Sequence, residues 1–167
     1  MVGFRISLVT PDLALLEAAL GGPPVLERAL GAAVAEGCDV FPGAVRRTRD
    51  AVAADPASTC WGTRFFVLEE PRTLVGWGGF KGPPRDGVVE LGYAIAPSFE
   101  GRGLATAAVR EMLREAFAEP AVHAVIAHTL PELNASVRVL EKCGFVGEGE
   151  VPDANVGTAW RHRLERP

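Results

Sequence analysis

At 167 residues, 48% of them hydrophobic and 23% charged, the chain is long enough for one domain with a buried core and too ordinary for a fibrous or disordered protein. A net charge of −4, with no offsetting block of lysine and arginine, argues against nucleic acid as the main partner; Arg46, Arg47 and Arg49 read as a solvated helix face. Cys38, Cys60 and Cys143 are far apart and match no metal spacing, so reduced thiols in a cytoplasmic protein are expected, and no metal site.

Phe4 to Val9 alternates as a first strand. Thr10 and Pro11 read as a helix start, Thr10 as the cap, with the helix running from Asp12 to Leu20 and ending at Gly21-Gly22. Pro23-Pro24 restarts a helical run to about Glu36. The stretch from Gly37 to Cys60 is the hardest to read: Phe41-Pro42-Gly43 suggests a turn, and Ala44 to Ala54 another helix. Walls of a substrate site are one use for these early helices.

The pattern changes after Gly62. Arg64–Glu69, Leu74–Phe80 and Val88–Ile95 are strand-like and closely connected, which predicts an antiparallel meander. A helix over Leu104 to Ala118 follows, with Leu104, Ala108, Met112, Leu113, Ala116 and Phe117 on one apolar face and Pro120 closing it. Strand Val122–Thr129, helix Ala135–Cys143, strand Phe145–Glu148 and a last strand near Gly157–Leu164 complete the order. The expectation is a single domain over 1–167 of α/β (α+β) class, with a mixed, twisted sheet of six to seven strands flanked by helices. No apolar run approaches membrane-spanning length, and the N-terminus has no basic region followed by a hydrophobic stretch, so no membrane partner is expected.

The chemistry concentrates at Glu100-Gly101-Arg102-Gly103-Leu104-Ala105, between a strand and a long helix. A strand that turns over small residues into a helix start leaves several amides pointing outward together, the geometry of an anion cradle suited to a phosphate or pyrophosphate. The loop lacks the Lys-Ser/Thr ending of a nucleoside-triphosphate loop, and no acidic residue waits for a ribose as in a dinucleotide fold. A second signal is Asn134 to Phe145: Asn134 caps a helix carrying Ser136, and Gly144 suits a left-handed C-cap.

Together, Glu90 to Pro97, Gly101 to Thr106 and Ser136 to Phe145 resemble the GNAT superfamily of N-acetyltransferases, more narrowly its ribosomal-protein N-terminal acetyltransferase-like (RimJ/RimL-type) branch. The resemblance covers the chain from about Thr63 onward. It implies a GNAT-like fold split between strands 4 and 5, with Gly92 marking a bulge that opens the split. It also implies acetyl-CoA as cofactor and coenzyme A as product. The diphosphate would sit on the amides of Arg102, Gly103, Leu104, Ala105 and Thr106, with the Arg102 side chain adding charge. The pantetheine arm would pair with backbone near Ala94, Ile95 and Ala96, and the amide near Ile95 would polarise the thioester carbonyl.

Three positions depart from the family pattern. Glu100 stands where Gln or Arg is usual and must turn away or meet a cation such as Arg102. Leu133 occupies the usual Asn position, with Asn134 one residue later, and Leu140 the position of the tyrosine that protonates the leaving thiolate.

The resemblance implies transfer of the acetyl group to a primary amine, foremost a protein or peptide N-terminal α-amine, by a monomer or homodimer. The alternatives are a small-molecule amine (polyamine, amino acid or aminoglycoside) and a non-catalytic acetyl-CoA-binding domain. Glu90, on the strand beside the split, is the candidate base, with a solvated carboxylate as its bland alternative. Ser136 is a candidate for holding or protonating the sulfur, and Asn134 is a cap first and a ligand contact second. His128 reads as a partly buried structural residue and a spare base, while His123 and His162 show no partner. Tyr93 reads as core or groove wall, and Trp61, Trp77 and Trp160 as packing residues, Trp77 near the acceptor side.

Overall fold

The computed structural model describes residues 4–38 and 42–167. The expected meander forms the spine of the sheet: β3 (Thr63–Leu68), β4 (Thr73–Phe80) and β5 (Val88–Ile95) pair antiparallel in succession. With β1 (Ile6–Val9), β2 (Ala33–Val34), β6 (Ala124–Thr129), β7 (Val146–Asp153) and β8 (Gly157–Glu165) they make an eight-stranded sheet, ordered β1-β3-β4-β5-β6-β8-β7 with β2 beside β4. The β2–β4 and β5–β6 pairs are parallel, so the sheet is mixed.

Helices cover both faces. On one face, α4 (Leu104–Ala118) and α5 (Ala135–Lys142) pack over Phe66, Val75, Leu91, Val125 and Ala127, with Leu104, Ala108, Val109, Met112, Leu113 and Ala116 of α4 buried. Each large side chain withdrawn from water there contributes about 1.5–3 kcal/mol, which is why the apolar stripe of α4 is readable in advance. Phe117 is only partly buried against this core, and Val109 completes the stripe. On the other face, Leu26 and Leu30 of α2 (Pro23–Leu30) pack over Phe65, Val67, Leu74 and Trp77. α1 (Leu13–Leu20) and α3 (Pro42–Ala54) meet through Leu16, Val45 and Val52.

Several boundaries differ from expectation for local reasons. Asp12, not Thr10, caps α1, because its carboxylate accepts from the Leu15 amide at 2.8 Å. α2 stops at Leu30, where Gly31 turns left-handed (φ 64°), and the chain then runs into β2 rather than staying helical to Glu36. α3 begins at Pro42; Phe41 of the expected turn lies outside the described residues. β6 starts at Ala124, because the Val122 amide is spent on the Glu119 carbonyl. β7 reaches Asp153, well past Glu148, as an edge strand with an irregularity between Gly147 and Gly149, and an edge tolerates its Pro152.

The feature that positions the site is where β5 and β6 part. They pair at Val88–Ala124, Val89–Val125 and Glu90–Ile126, and no further. From Leu91 onward β5 pairs only with β4, while Ala127 to Thr129 of β6 pair only with β8. With β2 counted, this is the split expected between strands 4 and 5. No bulge opens it at Gly92, since the β4–β5 register runs unbroken through Gly79–Gly92; the shift in this region lies between Phe66 and Val67 of β3. The opening comes from divergence of parallel strands whose connections lead to different helices.

Candidate active site

Successive residues of a strand direct their backbone groups to opposite edges. The Glu90 carbonyl accepts from Lys81 and the Ala96 amide donates to Val75, so residues 90, 92, 94 and 96 spend their groups on β4. Tyr93 and Ile95 therefore turn N–H and C=O toward the split, where β6 has moved away. Of the expected trio, Ala94 and Ala96 are committed to the sheet; Ile95 is free at its edge, joined by Tyr93.

Beyond the end of β5, Gly101 and Gly103 are left-handed (φ 71° and 77°), and Gly103 is the N-cap of α4 with no side-chain cap. Among the described residues no protein group accepts from the amides of Arg102, Gly103, Leu104, Ala105 or Thr106. A β-carbon at either glycine would meet nothing within 4 Å, so backbone conformation rather than space calls for glycine. The amides and the helix dipole thus face outward as an anion cradle. The Arg102 guanidinium does not join them. It folds back to the Ser98 carbonyl at 2.9 Å and lies over Phe99 and Phe4, and Glu100 stands exposed without it.

A cavity of about 840 Å³ occupies the split and extends across the α3 face. Leu91, Gly92 and Tyr93 line one side of the split, Ala127, His128 and Thr129 the other, with Asn134, Ser136 and Leu140 at the start of α5. Gly43, Ala44, Arg47, Thr48 and Ala51 of α3 form a wall, opposed by Asp153, Asn155 and Val156 of the β7–β8 turn. α3 is pinned in place by Thr48, whose hydroxyl lies 2.9 Å from that of Thr63 and accepts from the Thr63 amide at 3.2 Å.

The two faces of the split carry different groups. On the α4–α5 face, the Tyr93 hydroxyl crosses the split and donates to the Ser136 carbonyl at 3.0 Å, and burial pushes its pKa up, so the phenol stays protonated. Asn134 caps α5 by accepting from the Val137 amide at 3.1 Å, and the Ser136 hydroxyl has no protein partner among the described residues. Leu140, in the tyrosine position, is fully buried, whereas Leu133 is 78% exposed.

On the α3 face, Glu90 sits at the fork. Its Oε1 is 2.8 Å from His128 Nδ1 and is also paired with the Lys81 ammonium. His128 lines the cavity; Glu90 stands behind it. Asp153 accepts from the Asn155 and Val156 amides, which hold its pKa down, helped by the nearby Lys81 and His128 side chains. Trp77 and Trp61 line the same cavity, Trp61 edge-on to Phe80 at 5.3 Å. The other histidines do have partners: His123 Nε2 is 2.8 Å from the Asp86 carbonyl, and buried His162 Nε2 is 3.0 Å from the Thr129 hydroxyl.

The basic trio of α3 divides its work. Arg49 pairs with Glu17 and Asp50, while Arg47 faces the cavity with no partner among the described residues. Arg47, Lys81 and Asp153 escape sequence reasoning; only the 3.6-residue spacing that sets Arg47 beside Gly43, Ala44, Thr48 and Ala51 marks it as a wall residue.

A sheet of this order, split beside a glycine-started helix, defines the acyl-CoA N-acyltransferase class. The family described as "Acetyltransferase (GNAT) domain" matches residues 38–146, and the chain belongs to it. It is similar to a probable N-acetyltransferase, YjcK, of Bacillus subtilis (strain 168), 41% identical over 59 residues, which are 35% of this chain and 33% of that relative. A putative ribosomal N-acetyltransferase of the same organism, YdaF, is 36% identical over 75 residues, 45% of this chain and 41% of its own. The matches thus span about a third to two-fifths of these relatives' lengths. Among solved structures, the microcin C7 self-immunity acetyltransferase MccE, in complex with acetyl-CoA and AMP, superimposes with a TM-score of 0.69 at 14% identity, covering 97% of this chain and 93% of that one. At that identity the likeness is one of fold. Among the described residues no helix is long and apolar enough to cross a membrane.

Proposed function

We propose that this chain is an acetyl-CoA-dependent N-acetyltransferase whose acceptor is the primary amine of a small molecule that also bears an acidic group, as an amino acid does. The observation that carries the acceptor class is Arg47, a cation with no partner among the described residues, on the wall of a cavity bounded by α3 and the β7–β8 turn. About 840 Å³ is of the size that encloses a small ligand. A polyamine or aminoglycoside asks for several free carboxylates, yet Glu90 is already paired and Asp153 is the carboxylate on the lining.

The residues fit the cofactor. The amides of Arg102 to Thr106 would hold its diphosphate, and the free backbone edge of Tyr93 and Ile95 would hold the amide-bearing arm. When bound, acetyl-CoA supplies an acetyl group activated as a thioester. Ser136 offers an uncommitted hydroxyl at the positive end of α5, placed to steady negative charge on the departing side, and Asn134 keeps that helix end in position. Tyr93, by holding the Ser136 carbonyl across the split, orders the same turn.

The test is release of free thiol from acetyl-CoA with a panel of amines. Amino acids and other amines bearing a carboxylate or phosphonate are expected to give the highest kcat/KM, ahead of spermidine, an aminoglycoside and peptides starting with Ser or Ala. Preference for the peptides would return the acceptor to the protein N-terminus suggested by the branch resemblance. Tight acetyl-CoA binding without turnover on any amine would make the chain a binding domain instead.

A further inference from the structure

We infer that the group accepting the proton from the acceptor amine is the His128 imidazole, through Nε2, and that Glu90 is its positioning residue rather than the base. The inference rests on the acetyltransferase reading above. Three observations carry it. First, His128 lines the cavity and Glu90 does not, although their side chains are almost equally exposed at 23% and 24%. Second, a carboxylate flanked by the Lys81 ammonium only accepts, so the 2.8 Å contact between Glu90 Oε1 and His128 Nδ1 fixes the proton on Nδ1 and leaves the lone pair on Nε2. Third, Nε2 has no protein partner among the described residues.

Strand alternation sets the direction. Glu90 on β5 and Ile126 with His128 on β6 project from the α3 face, opposite to Val89, Leu91, Val125 and Ala127, which pack under α4 and α5. The proton acceptor therefore lies on the face with the α3-walled part of the cavity, and Ser136 with Tyr93 on the other. Glu90, held by Lys81, cannot turn to the cavity without giving up both partners. Asp153, the other carboxylate nearby, is occupied by two amides and is a weak base.

The step balances simply. The acceptor ammonium gives one proton to Nε2, and the imidazolium formed is stabilised by Glu90 on its far side. As the new N–C bond forms and the C–S bond breaks, coenzyme A leaves as the thiolate. The amine's second proton passes through solvent to that sulfur to give the thiol, and the imidazolium returns its proton to solvent. The charged groups around the ring are Glu90 from β5, Lys81 after β4, Asp153 from the end of β7, and Arg161, its register partner on β8, with His162 beyond.

Two readouts test this. In the ligand-free protein, imidazole nitrogen NMR should show His128 protonated at Nδ1 when neutral, and Glu90→Gln should shift the ring toward a mixture of its two tautomers. In turnover, His128→Gln should lower kcat by about 10²–10³-fold and remove the acidic limb of the kcat–pH profile, with acetyl-CoA affinity unchanged in calorimetry. Glu90→Gln should lower kcat by about 10-fold while keeping an acidic limb, as expected of a residue that orients the base rather than acting as it. A wild-type ring protonated on Nε2, or a His128→Gln enzyme that keeps both kcat and the limb, overturns the inference. Absence of turnover in the wild type would refute the acetyltransferase reading instead, leaving the ring assignment to be decided by the NMR arm.

Discussion

The two faces of the split are built from different materials. On the α4–α5 side the outward groups are mostly backbone: the amides at the start of α4 and the free edge of β5 at Tyr93 and Ile95. On the α3 side they are side chains drawn from separate elements: Arg47 from α3, Lys81 after β4, His128 from β6 and Asp153 from β7, with Glu90 of β5 behind His128. Backbone recognition needs only a local conformation, so a few consecutive residues specify it. Side-chain recognition needs the whole sheet to bring distant positions together, and each position can change without disturbing its neighbours. A common cofactor and a variable acceptor suit that division.

Gly103→Val attacks the backbone side where it depends most on conformation. Gly103 has φ 77° and no neighbour that a β-carbon would strike, so the substitution strains the turn without crowding it. Acetyl-CoA affinity is expected to fall about 100-fold, or about 2.7 kcal/mol, in calorimetry, while the KM ranking of acceptors stays the same. A change in that ranking would mean the two faces are not separable.

The side-chain face is broken more gently by Arg47→Glu. The exposed wall keeps its helix, because Thr48 does the docking. The KM for carboxylate-bearing amines should rise about 10- to 50-fold with acetyl-CoA affinity unchanged, as expected for loss of one charge-assisted contact plus a new repulsion. Equal effects on spermidine and amino acids would remove Arg47 as a selector. Smaller still is Arg102→Ala. Its guanidinium is spent on Ser98, Phe99 and Phe4, so acetyl-CoA affinity should change by less than about 3-fold; a larger loss would show that the cradle relies on side-chain charge after all.

The same division explains what could be read in advance. The run from Glu90 to Ala105 declares itself because a strand, two glycines and a helix start are contiguous, and the α4 helix from Leu104 to Ala118 shows its core stripe in its spacing. β2 stays hidden because two residues have no period, and the far half of β7, from Gly149 to Asp153, because Gly149, Glu150 and Pro152 give no apolar alternation on an exposed edge. The split could not be placed from Gly92, which carries no bulge, because it opens where β6, far along the chain, leaves β5 after Glu90. Arg47 is indistinguishable from Arg46 or Arg49 until α3 has docked, and His128, a spare base in the sequence, has no visible partner until β5 and β6 pair up to Glu90.

His162 offers the smallest and most discriminating probe, since it reports across the sheet from one face to the other. It is buried beneath α5, paired with the Thr129 hydroxyl, and its pKa is lowered chiefly by burial, with Glu141 opposing that and His128 adding to it. Above a histidine's ordinary value of about 6.5 the ring is neutral in both folded and unfolded chains, so it imposes no pH-dependent cost. As pH falls through that value the unfolded chain binds a proton that the folded chain refuses, and stability drops until the folded ring titrates at its lower pKa. Thermal unfolding from pH 8 to pH 5 should therefore show a steeper acid decline for wild type than for His162→Gln. Because protonated His128 is part of what holds His162 neutral, His128→Gln should make the wild-type decline slightly shallower. Parallel curves for wild type and His162→Gln would mean that burial leaves this ring free to charge. A His128→Gln curve superimposed on wild type would mean that the two faces are electrostatically independent as well as chemically distinct.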